Sequence, residues 1–145
     1  MARILIVEDK NEEMEKAILT GKELGHEITA INPTEGKGTW IEFVPDVDGV
    51  LTDLMFSPCG TRGKGVPPAG LLVVIHAALN GKPVVVCTDE CSRDEKWGHH
   101  GEAVGWIWGG YLGKFRFNEK PFGFVGDKNW ERAFELLKKR MEVVD

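Results

Sequence analysis

Asp48-Gly-Val-Leu-Thr-Asp-Leu-Met-Phe56 is the stretch on which the fold turns. Val50 and Leu51 are neighbouring apolar residues rather than an alternating pair. That pattern predicts a short strand, Gly49 to Thr52, buried on both faces as in a parallel sheet. The strand delivers one carboxylate, Asp53, to its C-terminal end. Ligands of open α/β sheets bind outside the carboxyl ends of the strands. Asp53 is thus a candidate site residue, provided other strands bring matching groups to the same edge.

Working outward, Ile4-Leu-Ile-Val7 is a continuous apolar run that stops at Glu8-Asp9, and Pro83-Val-Val-Val-Cys87 is another that stops at Thr88-Asp89. Both predict buried strands. His26-Glu-Ile-Thr-Ala-Ile31 alternates, which places it nearer a sheet edge, and Phe115-Arg-Phe117 reads as a fifth strand leading into Asn118-Glu-Lys-Pro121. Between these runs, Asn11 to Leu24 has Met14, Ala17, Ile18 and Leu24 near helical spacing, and Gly25 stops it. Leu71 to Leu79 is a strongly apolar helix. Asn129 to Met141 is amphipathic, with Trp130, Ala133, Phe134, Leu137 and Met141 on one face. Thr39 to Val44 reads equally well as a short helix or an extended segment, and Glu102 to Trp108 as one or two helical turns. Strands alternating with helices predict a doubly wound, five-stranded parallel sheet flanked by helices.

The 145 residues suit a single domain, with insertions at about 57–69 and 90–101, where glycine and proline or mixed polar residues exclude regular structure. Loops longer than about 12 residues in a compact domain are usually functional or disordered. A net charge of -5 gives no general drive towards nucleic acid or an anionic membrane. Neither a signal peptide nor a membrane-spanning run is visible. Three cysteines suit reduced thiols in a cytoplasmic setting better than a disulfide framework.

Right-handed crossovers would gather Glu8, Asp9, Asp53, Thr88 and Lys120 along one edge. Clustered acids call for a counter-charge, and oxygen ligands in an open site suit Mg²⁺. A lysine and a hydroxyl beside them would stabilise phosphoryl oxygens. The chemistry this set supports is phosphoryl transfer onto Asp53, through positioning and charge neutralisation.

Taken together, Ile4-Leu-Ile-Val-Glu-Asp9, Gly25-His-Glu-Ile-Thr29, Asp48 to Met55, Pro83-Val-Val-Val-Cys-Thr88 and Lys120-Pro-Phe122 resemble the receiver domain of two-component response regulators, over essentially the whole chain. The resemblance implies a flavodoxin-like receiver fold, close to that of the chemotaxis regulators. It implies that Asp53 is the phosphoacceptor. Asp9 would ligate Mg²⁺ directly, Glu8 mainly through water, and the main-chain carbonyl of Met55 would add a ligand. Thr88 would hydrogen-bond the phosphoryl group, Lys120 would pair with it, and Thr88 and Phe117 would be the switch residues. The implied protein is a stand-alone receiver rather than a conventional enzyme. It would take a phosphoryl group from a histidine kinase or histidine phosphotransfer protein, lose it by autodephosphorylation, and signal through protein contacts. Homodimerisation through the fourth and fifth helices is permitted.

The chain departs from the family pattern in several places. The proline after the phosphoacceptor strand is Pro58, one place late, and an insertion follows it. The interval from Thr88 to Lys120 is longer by about ten residues than the pattern requires. Asp89 stands where receivers generally have a small residue. These departures motivate a pseudo-receiver that binds without being phosphorylated. Asp46-Val-Asp-Gly-Val-Leu-Thr52 also looks like the nucleophile motif of haloacid dehalogenase-type phosphatases. On that reading Asp46 is the nucleophile, Asp48 the general acid and Thr88 the phosphate-binding hydroxyl, with Val125-Gly-Asp127 and Glu131 as the later acidic motif. Pro45 interrupts the strand that this reading needs. Cys87, Cys91, His99 and His100, with Cys59, are metal-ligand types, but their spacing matches no structural zinc pattern. Trp97, Trp106, Trp108 and Tyr111 suit either a satellite core or a partner surface.

Overall fold

The computed structural model describes residues 1–36, 40–53, 69–88, 122–125 and 128–143. In chain order the elements are β1 (Arg3–Val7), α1 (Asn11–Glu23), β2 (Glu27–Ile31), α2 (Pro33–Gly36), α3 (Trp40–Phe43), a 3₁₀ turn (Val44–Asp46), β3 (Gly49–Thr52), α4 (Gly70–Leu79), β4 (Val84–Cys87), β5 (Phe122–Val125) and α5 (Trp130–Val143). The strands form one sheet in the order β2-β1-β3-β4-β5. Every neighbouring pair is parallel. Chain order reverses direction between β1 and β3, and this is the switch point at which open α/β sheets bind ligands.

The side-chain period of a strand splits its apolar run between two cores. Leu5, Val7, Val50, Val84 and Val86 face one layer, where they meet Trp40 of α3, Val44, and Leu71, Val73, Val74 and Ala77 of α4. Ile4, Ile6, Leu51, Val85, Cys87 and Val125 face the other, against Ala17 of α1 and Trp130, Ala133, Phe134 and Leu137 of α5. With helices on both faces, no described residue of β3 or β4 is solvent-exposed. This explains why those strands read as unbroken apolar runs. Among the described residues β2 pairs only with β1, at the edge, and its residues are mostly half-buried, in keeping with its alternating sequence. Gly25 ends α1 and Gly81 follows α4, at φ +84 and +69. Both lie in the left-handed region, where a side chain would be strained.

Two sequence expectations change. Residues 40–46 are helical, first as α3 and then as the 3₁₀ turn, which resolves the ambiguous segment. The fifth strand lies at Phe122–Val125, later than the expected 115–117, which is outside the described residues. Pairing decides this. Val84 stands opposite Phe122 and Cys87 opposite Val125, so the second of two short aromatic runs takes the ladder. The expected insertion at 57–69, apart from residue 69 itself, the one at 90–101 and the turns at 102–108 are also outside the described residues. No helix among the described residues is long and apolar enough to cross a membrane.

Candidate functional site

The carboxyl ends of β1, β3 and β4 bring Glu8, Asp9, Asp53 and Thr88 to one edge of the sheet. The backbone extends the ladder to each of them. Glu8 N–H donates to Ile31 O at 3.2 Å, Asp53 N–H to Val7 O at 2.8 Å, and Thr88 N–H to Val125 O at 2.9 Å. Glu8, Asp53 and Thr88 are buried. The register that buries the strands therefore also fixes the polar groups that follow them.

Burying carboxylates is costly unless a counter-charge accompanies them. Lys128, which lies between β5 and α5 in the chain, supplies it. Its Nζ lies 2.5 Å from Glu8 Oε1 and 3.0 Å from Asp53 Oδ1. The same ammonium donates to Cys87 O at 3.3 Å. Its backbone N–H donates to Thr88 O at 3.2 Å. Lys128 has φ +56, in the left-handed region that non-glycine residues rarely adopt. Such strain concentrates at functional sites and persists where surrounding contacts over-determine it.

The electrostatics follow from this packing. Burial, then the neighbouring Asp53 carboxylate, pushes the Glu8 carboxyl up to about 8, with Lys128 offsetting only part of the rise. Burial works against the Lys128 ammonium, but Asp53 and Glu8 outweigh it and hold the pKa above the usual lysine range. Lys128 is thus a fixed cation rather than a base. Glu8 Oε2 accepts from the backbone N–H groups of Asp9 at 2.9 Å and Lys10 at 3.2 Å, which anchors its carboxyl in the turn after β1.

Glu8, Asp9 and Asp53 can each offer a carboxylate oxygen within 4.8 Å of the others. Asp9 Oδ1 is buried without a hydrogen-bond partner among the described residues, an orphaned acceptor of the kind a cation satisfies. An all-oxygen donor set suits Mg²⁺ rather than a softer metal. These residues therefore fit the expected ion.

Lys120, expected as the site lysine, lies outside the described residues and precedes β5 in sequence instead of following it. Among the described residues the cation at Asp53 is Lys128, which sequence reasoning missed. The available signal was Val125-Gly-Asp-Lys128, an apolar run closed by turn-forming residue types. Asn32 was also missed. Nearly buried at the end of β2, it donates from Nδ2 to Asp9 O at 3.1 Å and accepts from Thr34 N–H at 3.0 Å and Thr34 Oγ1 at 2.6 Å. It thereby ties the Asp9 turn to the start of α2.

Met55, Phe117 and Asp89 fall outside the described residues, as do Cys59, Cys91, His99, His100 and the aromatic residues at 97–111. Cys87 is buried within β4. The geometry does not assemble the phosphatase arrangement. Asp46 is exposed in the 3₁₀ turn before β3. Asp48 caps the start of β1, accepting from Arg3 N–H at 2.8 Å and Arg3 Nη2 at 3.4 Å. Both acids precede β3, whereas Thr88 follows β4, so parallel strands put them at opposite ends of the sheet.

No protein-family model matches the sequence, and no curated protein matches it. Solved structures do. A response regulator receiver protein from Sinorhizobium medicae WSM419 is similar at TM-score 0.63 and 15% identity, over 99% of this chain and 96% of that one. A CheY-like response regulator receiver domain protein from Methanospirillum hungatei JF-1 gives 0.61 and 14%, over 99% and 96%. The CMP N-glycosidase BcmB of Clostridium botulinum gives 0.53 and 15%, over 94% and 96%. The fold is the flavodoxin-like receiver fold, and proteins of different chemistry share its layers. Function has to be argued from the site.

Proposed function

We propose that this chain is a response-regulator receiver in which Asp53 accepts a phosphoryl group from a histidine kinase or histidine phosphotransfer protein. The observation that carries the reading is the placement of Asp53. It is a buried carboxylate at the end of the central strand, 3.0 Å from a lysine ammonium and beside two further acids. An Asp that merely capped a helix would not need that company.

In the transfer, an Asp53 carboxylate oxygen bonds to phosphorus as the phosphorus–nitrogen bond of the donor phosphohistidine breaks. The imidazole nitrogen keeps the bonding pair and is neutralised by a proton, and Asp53 becomes an acyl phosphate. Lys128 remains protonated and pairs with the arriving phosphoryl oxygens, the role that sequence reading gave to Lys120. Thr88, at the end of β4, would offer its hydroxyl to the same group. Glu8, Asp9 and Asp53 would hold Mg²⁺, with the Met55 carbonyl as a further ligand, and the ion would neutralise charge gathering on the phosphoryl oxygens. Attack of water on the acyl phosphate then returns the carboxylate and inorganic phosphate. Thr88 and Phe117 are the proposed switch residues. The wider reading is a single receiver-like domain working in the cytoplasm through protein partners, with a homodimer permitted.

Phosphate-affinity gel analysis with Mg²⁺ and a small-molecule acyl phosphate tests this. We expect an acid-stable, alkali-labile shifted band in wild type and in Asp46→Asn, and none in Asp53→Asn. A band that depends on Asp46 would move the assignment to a phosphatase. If neither an acyl phosphate nor a panel of phosphorylated histidine kinases labels the protein, it is a pseudo-receiver binding module.

A further inference from the structure

The proposed function places Lys128 at Asp53, and on that reading we infer that Trp130 and Glu13 are positioning residues for Lys128, holding its ammonium at the acceptor carboxylate. Lys128 has a flexible four-carbon stem and could adopt many rotamers. What confines it is visible. Its Nζ lies 5.5 Å from the centroid of the Trp130 ring, within the range where a cation is attracted to an indole face. Trp130 opens α5 and is only 4% exposed. A buried indole N–H needs an acceptor. Glu13 of α1 provides it, with Trp130 Nε1 donating to Glu13 Oε1 at 3.0 Å. Lys16, one turn on, holds the other oxygen of Glu13 at 3.2 Å. The contacts form a continuous series from the surface of α1, through Glu13 and Trp130, to Lys128 and the two buried carboxyls.

The series links two helices packed on one face of the sheet to the charge that meets the phosphoryl group. Glu13 touches no reacting atom, and Trp130 acts only through Lys128. Cation–π attraction of this kind corresponds to about a twofold to thirtyfold effect on the population of the held rotamer. The rate of acceptor phosphorylation should respond within that range.

The test is a mutant cycle on the rate of phosphorylation by acetyl phosphate at saturating Mg²⁺, with urea midpoints measured alongside. Trp130→Leu and Glu13→Ala are expected to slow the reaction. Glu13→Gln, which keeps an acceptor oxygen, should restore most of the rate. In a Lys128→Met background neither Trp130→Leu nor Glu13→Ala should slow it further. Equal effects with and without Lys128 would make Trp130 and Glu13 merely structural, and no effect in either background would also overturn the inference. If Lys128→Met does not fold, Lys128→Gln takes its place in the cycle. A second readout needs no phosphorylation. The indole Nε1–H resonance of Trp130, assigned by its loss in Trp130→Phe, should move in the Lys128 variant. A protein that takes no phosphoryl group would sink the receiver reading while this resonance still decides the positioning role, and an unmoved resonance would end it.

Discussion

Lys128 Nζ stands 3.0 Å from Asp53 Oδ1, bringing a residue that follows β5 to the end of β3 across the intervening β4. The same nitrogen contacts Glu8, so one cation compensates two buried acids contributed by two other strands. The two carboxyls and the ammonium form a single electrostatic unit. Removing one member changes the state of the rest.

Lys128→Met should therefore destabilise the metal-free protein by about 3–5 kcal/mol, the range for breaking a buried pair by removing one partner. Mg²⁺ should recover part of that loss, because it brings positive charge to the same carboxylates. Lys120→Met, measured beside it, compares the lysine that the receiver resemblance implies. Urea unfolding in EDTA and in Mg²⁺ compares the variants, and a large effect at Lys120 with none at Lys128 would overturn the assignment of the counter-charge to Lys128.

Stability should depend on pH through Glu8. Its carboxyl has an ordinary value of 4.5 and is raised to about 8 in the fold. The folded state therefore holds a proton that the unfolded chain releases over this window. The Glu8 contribution is complete below 4.5 and is lost as pH rises towards 8, with a slope of at most about 1.4 kcal/mol per pH unit. Urea unfolding in EDTA at several pH values should show this fall, and Glu8→Gln should flatten it. Mg²⁺ should oppose it, since a bound cation favours the ionised carboxyl.

Asn32→Ala removes the donor to the Asp9 carbonyl and the acceptor for Thr34. We expect a loss of about 1–2 kcal/mol, typical of a capping side chain, together with weaker Mg²⁺ binding because the Asp9 turn is no longer tied down. Thermal unfolding reads the first effect, and a metal titration with a folded variant reads the second. Unchanged Mg²⁺ affinity would limit Asn32 to a structural role.

Gly21→Ala tests the packing of α1. A Cβ there would stand 2.5 Å from Ile28 Cδ1 and 2.8 Å from Phe134 Cζ. Overpacking costs about 1–3 kcal/mol, which the better helix propensity of alanine offsets by up to about 1 kcal/mol. Net destabilisation is expected in urea, with Asp53 chemistry unaffected at temperatures where the variant is folded.

Much of the fold was legible in local sequence. The apolar runs ending at Val7, Thr52 and Cys87 mark buried parallel strands because doubly covered strands tolerate no polar alternation, and each run stops at a residue that enters the site. The alternation of 26–31 marked an edge strand, and β2 is at the edge. The helix from Trp130 carries its apolar positions on one face, and that face packs on the sheet. The fifth strand was not legible in this way. Phe115-Arg-Phe117 and Phe122-Gly-Phe-Val125 have equal local claims, and choosing between them depends on pairing with β4.

Sequence alone determined which residue types meet at the sheet edge from β1, β3 and β4, because strand period and chain direction are local properties that a short apolar run expresses by itself. Only the tertiary structure brought Lys128 to them. That contact depends on the register of β5 against β4, on the left-handed backbone at Lys128, and on the need of Glu8 and Asp53 for counter-charge once both are buried. Each is a relation between segments far apart in the chain, and burial makes the charge balance binding only when those segments have packed together.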